Sequence, residues 1–94
     1  MRRQMDRHGA ESIAVEALGR IVQDDERRER FLALTGLDPG SIRSAAADPH
    51  FLESVLDHVC ADETLLVSLA GEMNVRPEAI AQAREILAGP PFTD

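Results

Sequence analysis

The clearest pattern of apolar and polar residues in the chain lies between residues 48 and 60. Its apolar residues form three adjacent pairs with helical spacing: Phe51 and Leu52, Val55 and Leu56, and Val59 and Cys60. Such spacing places a broad apolar stripe along one side of an α-helix. Asp48 can cap this helix, and Pro49 suits its first position, where no amide donor is needed. The pattern therefore predicts a helix over 49–60 at the centre of the fold, because other segments must cover so apolar a face.

Similar apolar spacing predicts five further helices. They cover residues 10–23, 26–35, 39–47, 63–73 and 78–88. Asp38 and Asp62 precede two of them as N-caps, as Asp48 precedes the central helix. Gly36 is expected to end the second helix in a left-handed conformation, which glycine adopts without strain.

No segment shows the alternation of apolar and polar residues that is typical of a β-strand. The sequence therefore predicts an all-α fold, a compact orthogonal bundle of five to six short helices. We expect a flexible N-terminal arm over 1–9, a single helical domain over 10–89 and a flexible tail over 90–94. The predicted core consists of Ile13, Leu18, Ile21, Phe31, Leu34, Leu37, Ile42, Phe51, Leu52, Val55, Leu56, Val59, Leu65, Leu66, Leu69, Met73, Val75, Ile80 and Leu87.

Composition and charge narrow the possible functions. The 94 residues are 44% hydrophobic and 29% charged, which is typical of one small globular domain. The net charge of −7 disfavours nucleic acid and anionic membranes as partners. The single cysteine, Cys60, cannot form an internal disulfide, and no apolar run approaches the ~20 residues of a membrane span. We therefore expect a cytoplasmic protein whose partner is another protein or a second copy of the chain.

The segment 63–88 has the spacing of a helix-turn-helix unit. Such a unit needs a small residue where its helices cross, followed at set distances by a turn residue and two apolar residues. These demands are met by Ala70, Asn74, Val75 and Ile80. Nucleic-acid contacts would come from Arg76, Gln82 and Arg84. Because acidic side chains share that helix surface, we regard a packing corner as the first interpretation and nucleic-acid binding as the alternative.

The titratable residues of the central helix do not form a pattern of metal ligands or catalytic groups. His50 and Asp57 lie about two helical turns apart, and His58 and Cys60 point in different directions. Neither a CxxC nor an HxxxH motif occurs. We therefore expect no metal, no cofactor and no catalytic residue, and we interpret Cys60 as a small buried hydrophobic residue.

Arginines are concentrated in the first three predicted helices, at Arg20, Arg27, Arg28, Arg30 and Arg43. One interpretation pairs Glu26 with Arg30 and Asp24 with Arg28 along a single helix face. The other is a patch that binds an acidic ligand or partner.

Three segments resemble a known protein family: ERFLALTGLDPGSIRS (29–44), DPHFLESVLDHVCADETLLVSLA (48–70) and VRPEAIAQAREILAG (75–89). The family is a bacterial, largely alphaproteobacterial group catalogued as domain of unknown function 3572. Its most recognisable blocks here are Phe31, Leu34, Thr35-Gly36-Leu37 and Ile42, and then Asp48-Pro49, Phe51, Leu52, Leu56 and Asp62-Glu63. The resemblance covers about residues 10–89 and implies a small cytoplasmic helical protein. It supplies no catalytic residue, because the matching positions are core and cap residues.

These observations favour a non-catalytic protein-interaction or adaptor module that binds another protein or forms a homodimer. The expected contact surface is the outer face of the fifth and sixth helices or the groove beside Thr35-Gly36-Leu37. The alternative is a helix-turn-helix-like regulator that binds nucleic acid through residues 63–88.

Overall fold

A computed structural model of the chain describes residues 5–89, which form six α-helices and a short 3₁₀ turn. In chain order these are α1 Arg7–Gln23, α2 Asp25–Thr35, the 3₁₀ turn Pro39–Ser41, α3 Ile42–Ala45, α4 Pro49–Cys60, α5 Glu63–Met73 and α6 Pro77–Ala88. The described residues contain no strand, so the predicted all-α class is confirmed. Part of the predicted N-terminal arm (1–4) and the predicted tail (90–94) lie outside the described residues.

The core is built where α1, α4 and α6 pack against one another. The helix α5 closes this core by contacting all three, whereas α2 rests mainly on α1. From α4 the stripe Leu52, Val55, Leu56 and Val59 is buried, while Phe51 is only half-buried at its edge. The buried apolar residues are Ala10, Ala14, Ala17, Leu18, Ile21, Phe31, Leu52, Val55, Leu56, Val59, Leu69, Ala70, Met73, Ile80, Ala83 and Leu87.

Alanines make a large contribution to this core. Ala10, Ala14 and Ala17 lie on one face of α1 and are fully buried, as is Ala83 of α6. The most extensive contact between two helices is that of α1 with α6. Small side chains allow two helices to approach closely, so the alanines fit a tight α1–α6 interface.

Aspartates hold the starts of the helices. Oxygens of Asp48, Asp62 and Asp38 accept hydrogen bonds from the backbone N–H groups of residues 50, 65 and 40, at 2.9, 3.2 and 3.2 Å. Two further aspartates do the same: Asp24 caps α2, and Asp6 caps α1 by accepting from the amide of residue 9 at 2.8 Å. Because Asp6 supplies this cap, α1 begins at Arg7, three residues before its predicted start.

The structure corrects the predictions most in the segment 34–47. Leu34 is predicted in the core but is 68% exposed, because α2 turns Phe31 inward and residues 33–36 at its C-terminal end all face solvent. The predicted third helix is shorter than expected and divided: a 3₁₀ turn from Pro39 is followed by α3, which ends at Ala45. Seven other predicted core residues are only partly buried and pack against the core: Ile13, Leu37, Ile42, Phe51, Leu65, Leu66 and Val75.

Candidate interaction groove

A groove of about 590 Å³ separates α2 from the end of α4 and the start of α5. We call it the α2–α5 groove. It is lined by Glu26, Arg27, Glu29, Arg30, His58, Asp62, Thr64, Leu65 and Ser68. Its walls belong to two helices far apart in the chain, so α2 must be held in place for the groove to exist.

An aromatic contact under the groove holds α2 to α4. The ring of Phe31 is fully buried and meets the ring of His58 edge to face, with centroids 5.1 Å apart. On its other side Phe31 contacts Phe51 in the same manner, at 6.1 Å. Edge-to-face pairs of this kind stabilise beyond the area that they bury. Phe31 is the only buried residue of α2 and therefore its main attachment to the core.

An ion pair joins the two walls on the surface. The guanidinium of Arg27 donates two hydrogen bonds to the carboxylate of Glu72 on α5, at 2.7 and 3.1 Å. This bond raises the pKa of Arg27 and lowers the pKa of Glu72. Arg20 of α1 lies 3.9 Å from the same carboxylate. Two-pronged arginine–carboxylate pairs have well-defined geometry, so the pair links α2 to α5 across the surface in a specific orientation.

His58 forms part of the groove floor as an uncharged ring. Burial lowers its pKa, the charge of Asp62 opposes that change, and the charge of Arg30 adds to it. None of the causes of this pKa change is a hydrogen bond from another side chain within residues 5–89. The ring therefore offers the groove an aromatic surface, with half-buried Leu65 as its apolar neighbour.

The charges of the groove are unevenly matched. Arg27 is neutralised by Glu72, as described above. Among the described residues, Glu26, Glu29 and Asp62 form no ion pair, and neither does Arg30. Three carboxylates therefore face one guanidinium.

The ion pairs predicted between neighbouring residues of the second helix are not those that the structure contains. Arg28 pairs with Asp25 at 2.9 Å instead of Asp24, whose carboxylate is occupied in capping α2. The predicted pair of Glu26 with Arg30 is not formed within residues 5–89. Of the five arginines grouped in the other interpretation, Arg20, Arg27 and Arg28 each contact carboxylates within residues 5–89, which reduces the positive charge that they offer to an acidic ligand.

The corner between α5 and α6 lies away from the groove. Ala70 and Ile80 are buried, and Asn74 ends α5 in a left-handed conformation with φ of 61°. Of the predicted nucleic-acid contacts, Arg84 is engaged by Asp57 through a hydrogen bond and ion pair. Arg76, which precedes α6, and Gln82 on that helix are exposed near acidic residues such as Glu78. The only unpaired cation of this helix surface, within the described residues, is therefore Arg76 at its start.

The remaining titratable residues of α4 do not converge. Asp57 is held by Arg84, and His50 lies exposed at the opposite end of the helix from His58. Cys60 is half-buried rather than buried, and burial raises the pKa of its thiol. Among residues 5–89 there is no cluster of three or more His, Cys, Asp or Glu side chains that could hold a metal ion.

A second groove, of about 470 Å³, lies between α1 and the start of α4. Its carboxylates are already engaged: Glu11 lies 3.8 Å from Arg7 and Glu16 lies 3.2 Å from Arg20. Of these two grooves, the α2–α5 groove is the one that combines the ring of His58 with several ionic side chains left unpaired in residues 5–89. Within the same residues, no helix has the length and apolar character needed to cross a membrane.

The sequence-based expectation of a contact surface overlaps this groove on one wall. It named the outer face of the fifth and sixth helices, and Thr64 and Ser68 of the fifth line the groove, whereas no residue of the sixth does. It did not find the opposite wall, because the residues of α2 were interpreted by their neighbours in the chain. The alternative groove at Thr35-Gly36-Leu37 does not belong to the site.

Comparison with known proteins gives one match. The model of a family described as "Protein of unknown function (DUF3572)" matches residues 7–90. No curated protein and no solved structure matches the chain.

Proposed function

The chain belongs to the DUF3572 family of proteins of unknown function, as its resemblance suggested, and from this premise we propose a non-catalytic protein-interaction module. In this proposal the α2–α5 groove holds a short segment of a different protein. The observation that carries the proposal is the pairing of an aromatic floor with ionic side chains that have no partner within residues 5–89. These side chains are available to a binding partner, because no residue within 5–89 pairs with them.

The shape of the site supports a macromolecular segment. The groove lies on the surface between two helices, one of which is fixed below by Phe31 and above by the Arg27–Glu72 pair. Preformed walls reduce the conformational entropy lost on binding, which favours recognition of a segment that lies along them. Interfaces commonly combine an apolar centre with a polar rim, as this groove does.

The chemistry of the site supports a non-catalytic role. His58 is uncharged near neutral pH, and no hydroxyl or carboxylate within residues 5–89 is bonded to it as in a proton-transfer pair. The single cysteine, whose thiol has a raised pKa, is a poor nucleophile and favours a cytoplasmic setting. Nucleic-acid binding through α6 is not proposed, because Arg84 is already engaged by Asp57.

Photo-crosslinking in cells tests the proposal. The photoreactive residue p-benzoylphenylalanine is placed at Thr64 in the groove and, as a control, at Gln82 on the exposed face of α6. We expect a discrete adduct with another protein from position 64 and none from position 82. Adding Ser68→Trp, which fills the groove from an exposed helical position, should abolish the adduct.

Other outcomes would contradict the proposal in different ways. Equal adducts from both positions, or an adduct unaffected by Ser68→Trp, would show that the groove is not the binding site. An adduct of twice the chain mass would replace the foreign partner by a second copy. An adduct with nucleic acid at Gln82 would favour the alternative based on α6.

A further inference from the structure

We infer that the segment held in the α2–α5 groove is cationic, with an arginine or lysine beside an apolar side chain. This inference rests on the proposed function, and it names the chemistry of the partner. It follows from the arrangement of charges that the fold leaves in the groove after its internal ion pairs have formed.

The first step is to identify which charges remain. Arg27 is already paired, because its guanidinium donates two hydrogen bonds to the carboxylate of Glu72. Asp62 uses one carboxylate oxygen to cap α5, at 3.2 Å from the backbone nitrogen of Leu65, and forms no ion pair within residues 5–89. Glu26 and Glu29 are exposed and have no ion pair within residues 5–89. The unmatched charge of the groove is therefore negative, since Arg30 alone opposes these three carboxylates.

The second step is their placement. Glu26 and Glu29 lie one turn apart on α2, a spacing that brings side chains about 5–6 Å from one another on the same face. Asp62 belongs to the opposite wall, at the start of α5. A cation lying along the groove would thus meet carboxylates from both helices. A phosphate or carboxylate ligand would meet the same groups with repulsion, with Arg30 as its single attraction.

The third step concerns the apolar part of the partner. The ring of His58 and the side chain of Leu65 provide a floor without charge. Lysine and arginine bury their aliphatic stems on such surfaces while their charged ends remain at the polar rim. An adjacent apolar residue would cover the rest of the floor. The groove therefore matches a basic, amphipathic segment, in agreement with the net charge of −7 of the whole chain.

Selection from a displayed library of random peptides tests this inference with the full-length protein as bait. We expect selected peptides to be enriched in arginine or lysine next to an aliphatic or aromatic residue. The double variant Glu26→Gln/Glu29→Gln should bind them between about threefold and thirtyfold more weakly, given the usual strength of exposed ion pairs. The matched control Glu78→Gln/Glu85→Gln makes the same change in net charge on α6 and should alter binding less than about twofold.

The variant Ser68→Trp separates this inference from the proposed function. Peptides that lose binding to Ser68→Trp but carry no basic residue, and that tolerate Glu26→Gln/Glu29→Gln, would overturn the cationic partner and leave the groove as the binding site. Peptides that bind Ser68→Trp as well as the unaltered protein would overturn both, and so would recovery of no peptide above a bait-free background. Circular dichroism of each variant verifies that its helices are intact.

Discussion

Replacing Phe31 by alanine should release α2 from the domain while the other helices remain folded. Phe31 is the only buried residue of α2, and its ring contacts both Phe51 and His58. Truncation of a fully buried phenylalanine to alanine costs about 3–5 kcal/mol in the free energy of unfolding. The second attachment of the helix, the exposed pair of Arg27 with Glu72, contributes at most about 1 kcal/mol. The aromatic contact therefore decides whether α2 stays docked.

The size of this loss in unfolding free energy also indicates which part of the domain will open. A domain of this size has a total stability of about 5–15 kcal/mol, so a uniform loss would bring it close to unfolding. However, the core is centred on α1, α4 and α6, and α2 packs mainly on the outside of α1. We therefore expect local opening of α2, because detaching it leaves most of the buried residues in contact.

Hydrogen exchange, resolved by residue, measures this effect directly. In Phe31→Ala the amides of 25–35 should lose at least about 100-fold of their protection, whereas those of α4 and α6 should lose less than about tenfold. Leu34→Ala is the matched control on the same helix, because its side chain is 68% exposed and its loss should change stability by no more than about 0.5 kcal/mol. Leu56→Ala, in the centre of the core, should instead reduce protection everywhere.

Uniform exchange in Phe31→Ala would refute this reasoning. If α4 and α6 lost protection in parallel with α2, the second helix would be part of one cooperative unit with the core. The groove would then be a fixed feature of the whole domain, and its walls could not be separated without global unfolding.

Three further predictions concern backbone conformation and pH. Gly36→Ala should destabilise the domain by about 1 kcal/mol, because φ of 71° strains any side chain. Gly19→Ala should instead stabilise it by about 0.5–1 kcal/mol, because the added methyl group lies inside α1 and meets open space. Urea unfolding measures both changes. Because burial lowers the pKa of His58, protonation favours the unfolded chain, so stability should fall as pH drops below about 6.5, and the decline should be smaller in His58→Leu. The bond from Arg27 lowers the pKa of Glu72, so its stabilisation is present above about pH 4.5 and is lost on further acidification; Glu72→Gln should therefore destabilise at neutral pH and have no effect in strong acid. A pH-independent difference between either variant and the unaltered protein would contradict the corresponding assignment.

The sequence by itself determined the helices whose ends depend on neighbouring residues. The helices α4 and α5 have the bounds expected from their patterns, 49–60 and 63–73, because Asp48 and Asp62 bond to amides two or three residues away. The same local signals supported the all-α class and the resemblance to the family that the chain belongs to. Even so, Asp6 was passed over as a cap, because its polar surroundings lack an apolar stripe.

Only the tertiary structure decided which side chains meet across the chain. Ile13 and Ala14 belong to the same apolar stripe of α1, yet Ala14 is fully buried and Ile13 only half-buried, and Leu34 of α2 is exposed. Helical periodicity shows a stripe but not what covers it. The lining of the α2–α5 groove likewise depends on how the helices pack against one another. Arg27 binds Glu72, 45 residues away, in preference to the acids beside it in sequence, because folding brings that carboxylate within reach at an angle that its neighbours on α2 cannot offer.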